Sequence, residues 1–264
     1  MKMIFRSWKL HYAAATSVFL IMLTMVALMV GMVGCDNTST AVEIRDWYDL
    51  DDIRNNLGGH HILMNDLDST TAGYTGLASP TADKGKGWEP IGTALEPFAG
   101  NFDGQGYEIR DLFIDRHDKD KLDWNIGLFG CTYIKGTIKN VGVVNAYIVG
   151  WWCVGGLVGN NHGTVSNSYS TSNVTGIYHS GGLVGLLYDG TVENNSFWDT
   201  ETSGMEVSYG GIGKNTTEMQ DITTFSSAGW DIIAVANPST RNPSYIWNIV
   251  DDETYPFLSW QSVS

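Results

Sequence analysis

The chain has 264 residues, with 15 Lys and Arg against 29 Asp and Glu, a net charge of −14 at neutral pH and 43% hydrophobic side chains. So acidic a chain is a poor partner for nucleic acid, whose affinity comes mainly from Lys and Arg neutralising phosphates. Anionic membranes and polyanionic glycans are disfavoured for the same reason, except at local basic patches such as Lys84 and Lys86.

Residues 1–35 read as a targeting segment. Lys2, Arg6 and Lys9 form a basic start, and Tyr12 to Gly34 is an uncharged, largely apolar run of 23 residues that stops at Cys35. The ending Met32-Val-Gly-Cys35 resembles the lipobox of bacterial lipoproteins, with Met32 where Leu is usual, and this makes Cys35 the expected lipid anchor. The other reading is an uncleaved membrane helix, because the run is long enough to cross a hydrocarbon core of about 30 Å. Both readings tether the rest of the chain outside the cytoplasm, at the cell surface or in the periplasm. Without the three basic residues of this segment the chain keeps 12 basic against 29 acidic side chains, a net −17.

Residues 36–45 are polar and read as a flexible spacer. Over 46–58, Trp47, Leu50, Ile53 and Leu57 recur at helical spacing until Gly58-Gly59. This helix is expected to cap the N-terminal end of a stacked sheet, whose unpaired edge would otherwise invite edge-to-edge association. His61 to Asp68 reads as the first strand, 69–87 as a long excursion, and Trp88 to Gly92 with Phe98 to Ile109 as the start of regular rungs. Arg116 to Leu122 reads as a charged loop.

From 127 to 200 the chain repeats itself. The pairs Gly136-Thr137, Gly163-Thr164 and Gly190-Thr191 follow one another at 27 residues, as do Asn140, Asn167 and Asn194. Ahead of each stands a signature: Gly127-Leu-Phe-Gly130, Gly156-Leu-Val-Gly159 and Gly182-Leu-Val-Gly185. A fixed period of this length marks units that must stack to bury their apolar faces. Short alternating runs such as Val165-x-Asn167-x-Tyr169 have strand periodicity. The expected fold is therefore all-β: a right-handed parallel β-helix, or β-solenoid, occupying 59–204, with rungs of about 27 residues and three strands each. The signature glycines are expected where the backbone turns sharply or approaches the next rung. Asn140, Asn167 and Asn194, with Asp111 one insertion earlier, form either a structural ladder of side-chain hydrogen bonds or a row of ordinary turn residues. Residues 205–264 read as a C-terminal cap, with a short helix over 216–225, a strand over 246–250 and an apolar tail.

The signatures, the run Gly163-Thr-Val-Ser-Asn-Ser-Tyr-Ser170 and the run Asn195-Ser-Phe-Trp-Asp-Thr-Glu-Thr-Ser-Gly204 resemble the GLUG-motif repeats of bacterial and archaeal surface proteins, over about 88–262. The resemblance implies an exported β-solenoid, adhesin-like in its setting. That family is defined by architecture, so no activity follows from it.

Cys131 and Cys153 are the other two cysteines. If each signature lies on one straight strand, their Cα atoms stand about 20 Å apart, beyond the reach of a disulfide. Two buried thiols are expected.

No His precedes Glu as in zinc proteases, no Gly-x-Ser-x-Gly elbow occurs, and Asn215 stands where a phosphate loop needs Ser or Thr after Lys214. His60 and His61 are adjacent, so on a strand they face opposite ways and share no metal. Parallel β-helices can host polysaccharide lyases and hydrolases, for which Asp103, Asp111, Asp115, Asp199 and Glu201 are the candidate carboxylates. Calcium at 199–201 or 251–253 would find few ligands. Trp151 and Trp152 are the candidate binding residues, because one of two adjacent strand side chains must face outward; the bland reading packs both at a corner. The expectation is a monomeric, non-enzymatic surface protein without metal or cofactor, engaged in adhesion or in binding glycans or proteins. A polysaccharide-degrading enzyme and a purely structural envelope component are the alternatives.

Overall fold

The computed structural model describes residues 40–117 and 124–258. Cys35 with the rest of the targeting segment, most of the charged loop and the last residues of the apolar tail lie outside the described residues.

Strands dominate, and almost every neighbour is parallel. The first sheet runs Val42–Ile44, His60–Leu63, Asn101–Asp103, Thr137–Lys139, Thr164–Ser166, Thr191–Val192. The second runs Glu108–Arg110, Gly142–Val144, Tyr169–Ser170, Phe197–Asp199, Ile212–Lys214, and the third Phe113–Arg116, Tyr147–Gly150, Asn173–Thr175. Trp152–Gly155 pairs with Tyr178–Gly181, and Phe129–Cys131, Val158–Asn161 and Val184–Leu187 make a fifth sheet. The chain visits these sheets in turn and returns to each roughly one repeat later: Thr137 pairs with Thr164 and Thr164 with Thr191.

One repeat thus supplies five short strands where three were expected. The breaks fall at Asn140, Asn145 and the bend around Gly156, so no segment runs as long as the alternation alone suggested. Asn140 and Asn145 take positive φ (54° and 52°), a conformation Asn tolerates better than most residues.

Stacked pairs fill the interior: Phe102, Ile138 and Val165 in the first sheet, Ile114, Ile148 and Val174 in the third, Phe129, Val158 and Val184 in the fifth, all buried. The signature leucines Leu128, Leu157 and Leu183 are buried as well. Each such side chain contributes about 1.5–3 kcal/mol relative to exposure. The signature glycines have ordinary negative φ, so their role is close approach. A Cβ on Gly159 would sit 2.5 Å from the amide nitrogen of Ile126, and one on Gly156 would sit 2.5 Å from the carbonyl of Gly182.

At the N-terminal end, Val42–Ile44 is a strand beside His60–Leu63, although the sequence reads there as spacer. Only Ile44 of it is buried, too short a pattern to register as periodicity. The helical stretch divides into an α-helix, Trp47–Asp51, capped by the Asp46 carboxylate, and a 3-10 turn, Asp52–Asn55. Trp47, Leu50 and Ile53 are buried in the same core, and the Trp47 indole donates to the Asp68 carbonyl at 2.9 Å. Arg116 leaves the expected charged loop: it ends a strand, is buried, and donates to the Trp88 carbonyl (2.9 Å) and to Asp83 (2.8 Å).

Residues 216–258 pack on the outer face of the second sheet. There Val144, Tyr169 and Phe197 meet Met219, Phe225, Trp230 and Trp247. The single helix expected over 216–225 is two, Thr216–Met219 and Ile222–Ser226, because Asp221 caps a second start after the Asn215–Glu218 capping box. The Tyr169 hydroxyl, fully buried, lies against Glu108 and 3.1 Å from the Pro256 carbonyl, fastening this segment to the sheet.

Candidate functional site

Trp152 and Tyr178 are register partners, and their rings meet at 4.8 Å. Trp124, two residues before the Ile126–Val154 bridge, is a separate exposed ring. His179 extends the row, 5.3 Å from Trp152 and 5.6 Å from Tyr209, whose hydroxyl lies 3.1 Å from His179 Nδ1. Trp124, Trp152, Tyr178 and Tyr209 are 53%, 37%, 48% and 43% exposed. Trp152, Tyr178 and Tyr209, joined through His179, form an aromatic column along one side of the stacked strands. Trp124 lines a groove of about 460 Å³ together with Pro90 and Leu95.

The backbone explains which rings face out. Cys153 and His179 both take positive φ (47° and 51°), one residue after Trp152 and Tyr178. The left-handed residue breaks strand alternation, so Trp152 points outward while Cys153 and Val154 are both buried. Trp151 is half-buried, its ring edge toward Tyr178 at 6.1 Å. The two tryptophans therefore divide between the two readings, with Trp152 on the surface. Sequence reasoning missed Tyr178 and Tyr209; the 26-residue spacing of Trp152 and Tyr178, equal to that of Gly156 and Gly182, was the available signal.

The Asn corner has a different membership from the one expected. Asn167 Nδ2 donates to Asn140 Oδ1 at 3.3 Å, and Asn140 Nδ2 donates to Asp103 Oδ1 at 2.9 Å. Asn195 Oδ1, rather than Asn194, accepts from the Asn167 amide at 3.0 Å; Asn194 is exposed. Asp111 stands at another corner, opposite Asn145. The register Asp103 to Lys139 sets the first rung 36 residues back, so counting 29 from Asn140 lands on the wrong corner. Both interpretations of these asparagines meet in Asn140 and Asn167, which have positive φ and are bonded to each other.

The carboxylates are spread over the fold. Asp103 binds Lys139 (3.0 Å) and Asn140; its pKa is lowered because hydrogen bonds from Asn140, Gln105 and Lys139 outweigh the opposing effect of burial. Asp115 lies against His117. Asp199 is buried, caps Thr200–Ser203 and accepts from Tyr255 (2.6 Å) and Thr216 (2.8 Å), while Glu201 accepts from the Thr216 amide at 3.0 Å. Only Asp199 and Glu201 are thus brought together, and both hold backbone or hydroxyl groups of the chain itself. Among the described residues no group of three or more His, Cys, Asp or Glu is placed to hold a metal ion. His61 is buried with Nε2 2.9 Å from the Asn56 carbonyl, and burial lowers its pKa.

Cys131 and Cys153 are free and buried, and burial raises their thiols to about 11 and about 12. The expected wide separation does not follow, because the signature is a bend. The chain folds back at Gly156 and Leu157, placing Gly159 against the Cys153 carbonyl while its neighbour Asn160 pairs with Cys131. The charge of Cys131 also acts on the Cys153 thiol.

Among known proteins, the family described as the GLUG motif matches residues 152–175. Halomucin of Haloquadratum walsbyi is 40% identical over 115 residues, 42% of this chain and 1% of that protein. A candidate Gly-rich membrane protein of Evansella cellulosilytica is 38% identical over 123 residues, 45% of this chain and 13% of that protein. The matched part is thus a small share of either relative. A solved structure of a candidate immunoglobulin A1 protease from Bacteroides ovatus aligns with 83% of this chain and 92% of its own, at 13% identity and a TM-score of 0.41, too distant to carry an argument. Among the described residues no helix is long and apolar enough to cross a membrane. Residues 152–175 hold Trp152, a complete Gly-Leu-Val-Gly bend and the Gly163-Thr164 corner, and over this stretch the chain carries the GLUG motif.

Proposed function

We propose that the chain is a tethered, extracytoplasmic right-handed β-solenoid that binds glycans or proteins through its aromatic column, without chemistry of its own. The column carries the reading: Trp152, Tyr178 and Tyr209 are large, rigid and exposed, and a contiguous run of such rings is costly in water unless a ligand covers it. Relatives named as a halomucin and as a membrane protein agree with display at the cell surface. The apolar run before Cys35 supplies the tether, through an acylated Cys35 or as an uncleaved helix.

The test is a pull-down of the full chain on insoluble polysaccharides and cell walls, in calcium and in EDTA, with the supernatant assayed for released sugar. Retention without release is expected, falling about tenfold, or 1.4 kcal/mol, in Trp152→Ala and in Tyr178→Ala. Released sugar, or retention indifferent to both substitutions, overturns the reading.

A further inference from the structure

A second site lies at the corner that Asp111 occupies. Phe113 and Tyr147 are register partners whose rings stack at 5.2 Å with 12° between their planes. Tyr147 is 46% exposed. Two residues before each ring stand Asp111 and Asn145, both with positive φ (58° and 52°), which turns the chain so that polar and aromatic side chains share one corner. Asn145 Nδ2 donates to Asp111 Oδ1 at 2.8 Å, and Ser69 Oγ donates to Asp111 Oδ2 at 2.8 Å. The excursion over 69–87 folds against the same corner, with the Phe113 amide donating to the Ala78 carbonyl and the Tyr74 hydroxyl donating to the Asp111 carbonyl at 2.9 Å. These groups border a shallow, open cleft of about 340 Å³ between the excursion and the strands.

We infer that this cleft binds a neutral sugar ring, one hexopyranose unit of a glycan. The cleft joins apolar ring surface to a small set of fixed polar groups, the composition of a small-molecule site. The C–H face of a pyranose fits the exposed aromatic surface of Tyr147. Asp111 Oδ2 accepts from both the amide and the hydroxyl of Ser69, while Oδ1 accepts only from Asn145 and keeps a lone pair; Asn145 keeps one N–H and its carbonyl oxygen, so a vicinal pair of hydroxyls can donate to Asp111 Oδ1 and exchange bonds with Asn145. The bonds to the Asp111 carboxylate come from neutral donors. That uncompensated negative charge repels uronates, sulfated sugars and phosphates, and favours hydroxyl donors through charge-assisted hydrogen bonds. Nothing in this inference depends on the aromatic column.

The experiment is saturation-transfer NMR and calorimetric titration of the full chain with neutral glucose, mannose and galactose tetrasaccharides and with a uronate tetrasaccharide, in EDTA. At least one neutral oligosaccharide is expected to bind and the uronate to fail. Tyr147→Ala and Asn145→Ala each weaken that binding about tenfold or more, while Tyr188→Ala, at an exposed ring outside both the cleft and the column, leaves it unchanged. Asp111→Ala could disturb the corner, so the two exposed residues carry the test and thermal unfolding confirms that the variants fold. Absence of binding by every neutral sugar overturns the inference, as does equal binding of the uronate or insensitivity to Tyr147→Ala. Loss in Trp152→Ala alone would move the sugar to the column, overturning this site while leaving the proposed function standing.

Discussion

Gly159→Ala tests the packing of the signature most directly. The added Cβ would lie 2.5 Å from the Ile126 nitrogen, 2.7 Å from the Asn125 carbonyl carbon and 2.8 Å from the Cys153 oxygen. All three are backbone atoms, so no side chain can swing aside. Relief requires the strand before Phe129 to move away from the next one. That movement loosens the bonds from Ile126 to Cys153 (2.9 Å), Gly155 to Ile126 (2.9 Å) and Phe129 to Leu157 (3.0 Å). At about 1 kcal/mol each, with some lost packing of Leu128 and Leu157, the cost is about 3–4 kcal/mol. For a domain of this size that lowers the midpoint of thermal unfolding by roughly 6–16 °C. Gly76→Ala is the control: nothing lies within 4 Å of its added Cβ, and it sits in the short helix Tyr74–Leu77. It should leave stability unchanged or raise it by up to about 1 kcal/mol, a midpoint no lower than the parent's. Circular dichroism of the full chain at a fixed scan rate reads both. A Gly159→Ala variant melting within a degree or two of the parent would refute close approach as the reason for the signature.

Tyr169→Phe removes the hydroxyl held between Glu108 and the Pro256 carbonyl and should cost about 1–3 kcal/mol; limited proteolysis should then cut within 216–258 sooner than in the parent. Stability should fall with acid in two windows. His61 has a pKa below its ordinary 6.5, so the stability it contributes is present above 6.5 and is lost as the pH falls from there through its folded value. Asp103 and Asp68 lie below 3.8, so theirs is kept to lower pH and lost as the pH falls from about 3.8 through their folded values. Urea midpoints across this range should show the first step vanish in His61→Gln. Cys131 and Cys153, with thiols raised to about 11 and about 12, should resist alkylation at pH 8 until the chain is unfolded, as mass spectrometry of labelled peptides would show.

The periodic part of the fold was legible because Gly136-Thr137, Gly163-Thr164 and Gly190-Thr191 occupy matching positions, and two of the three links are the register partners Thr137–Thr164 and Thr164–Thr191. What failed were inferences that extended that period past an insertion or along a straight line. The pairing offset falls from 34 residues at Phe113–Tyr147 to 28 at Ile126–Val154, so the extra residues lie between Arg116 and Ile126. A count from Asn140 therefore missed Asp103 and chose Asp111. The bend at Gly156 and Leu157 likewise turned an expected straight strand into two, which undid the distance argument for the thiols. The outward face of Trp152 depends on positive φ at Cys153, a residue type that gives no local sign of it.

These failures share a physical origin. A stacked fold fixes side-chain identity strongly where a residue has a copy of itself above and below, as Ile138 and Val165 do, because each must fill the same cross-section. Corners are constrained differently. There the backbone needs a residue that tolerates positive φ, and Asn, Asp, Cys and His all meet that need in this chain, so identity carries little information about register. The corners are also where outward side chains gather, as Trp152 with Tyr178 and Tyr147 with Asp111 do. In such a fold the repeats reveal the scaffold, while binding surfaces collect at the positions the repeat specifies least. The pair Asp111 and Phe113 copies Asn145 and Tyr147 at the insertion-shifted spacing of 34, so aligning corners separately from core positions is the route by which a sequence of this kind yields its sites.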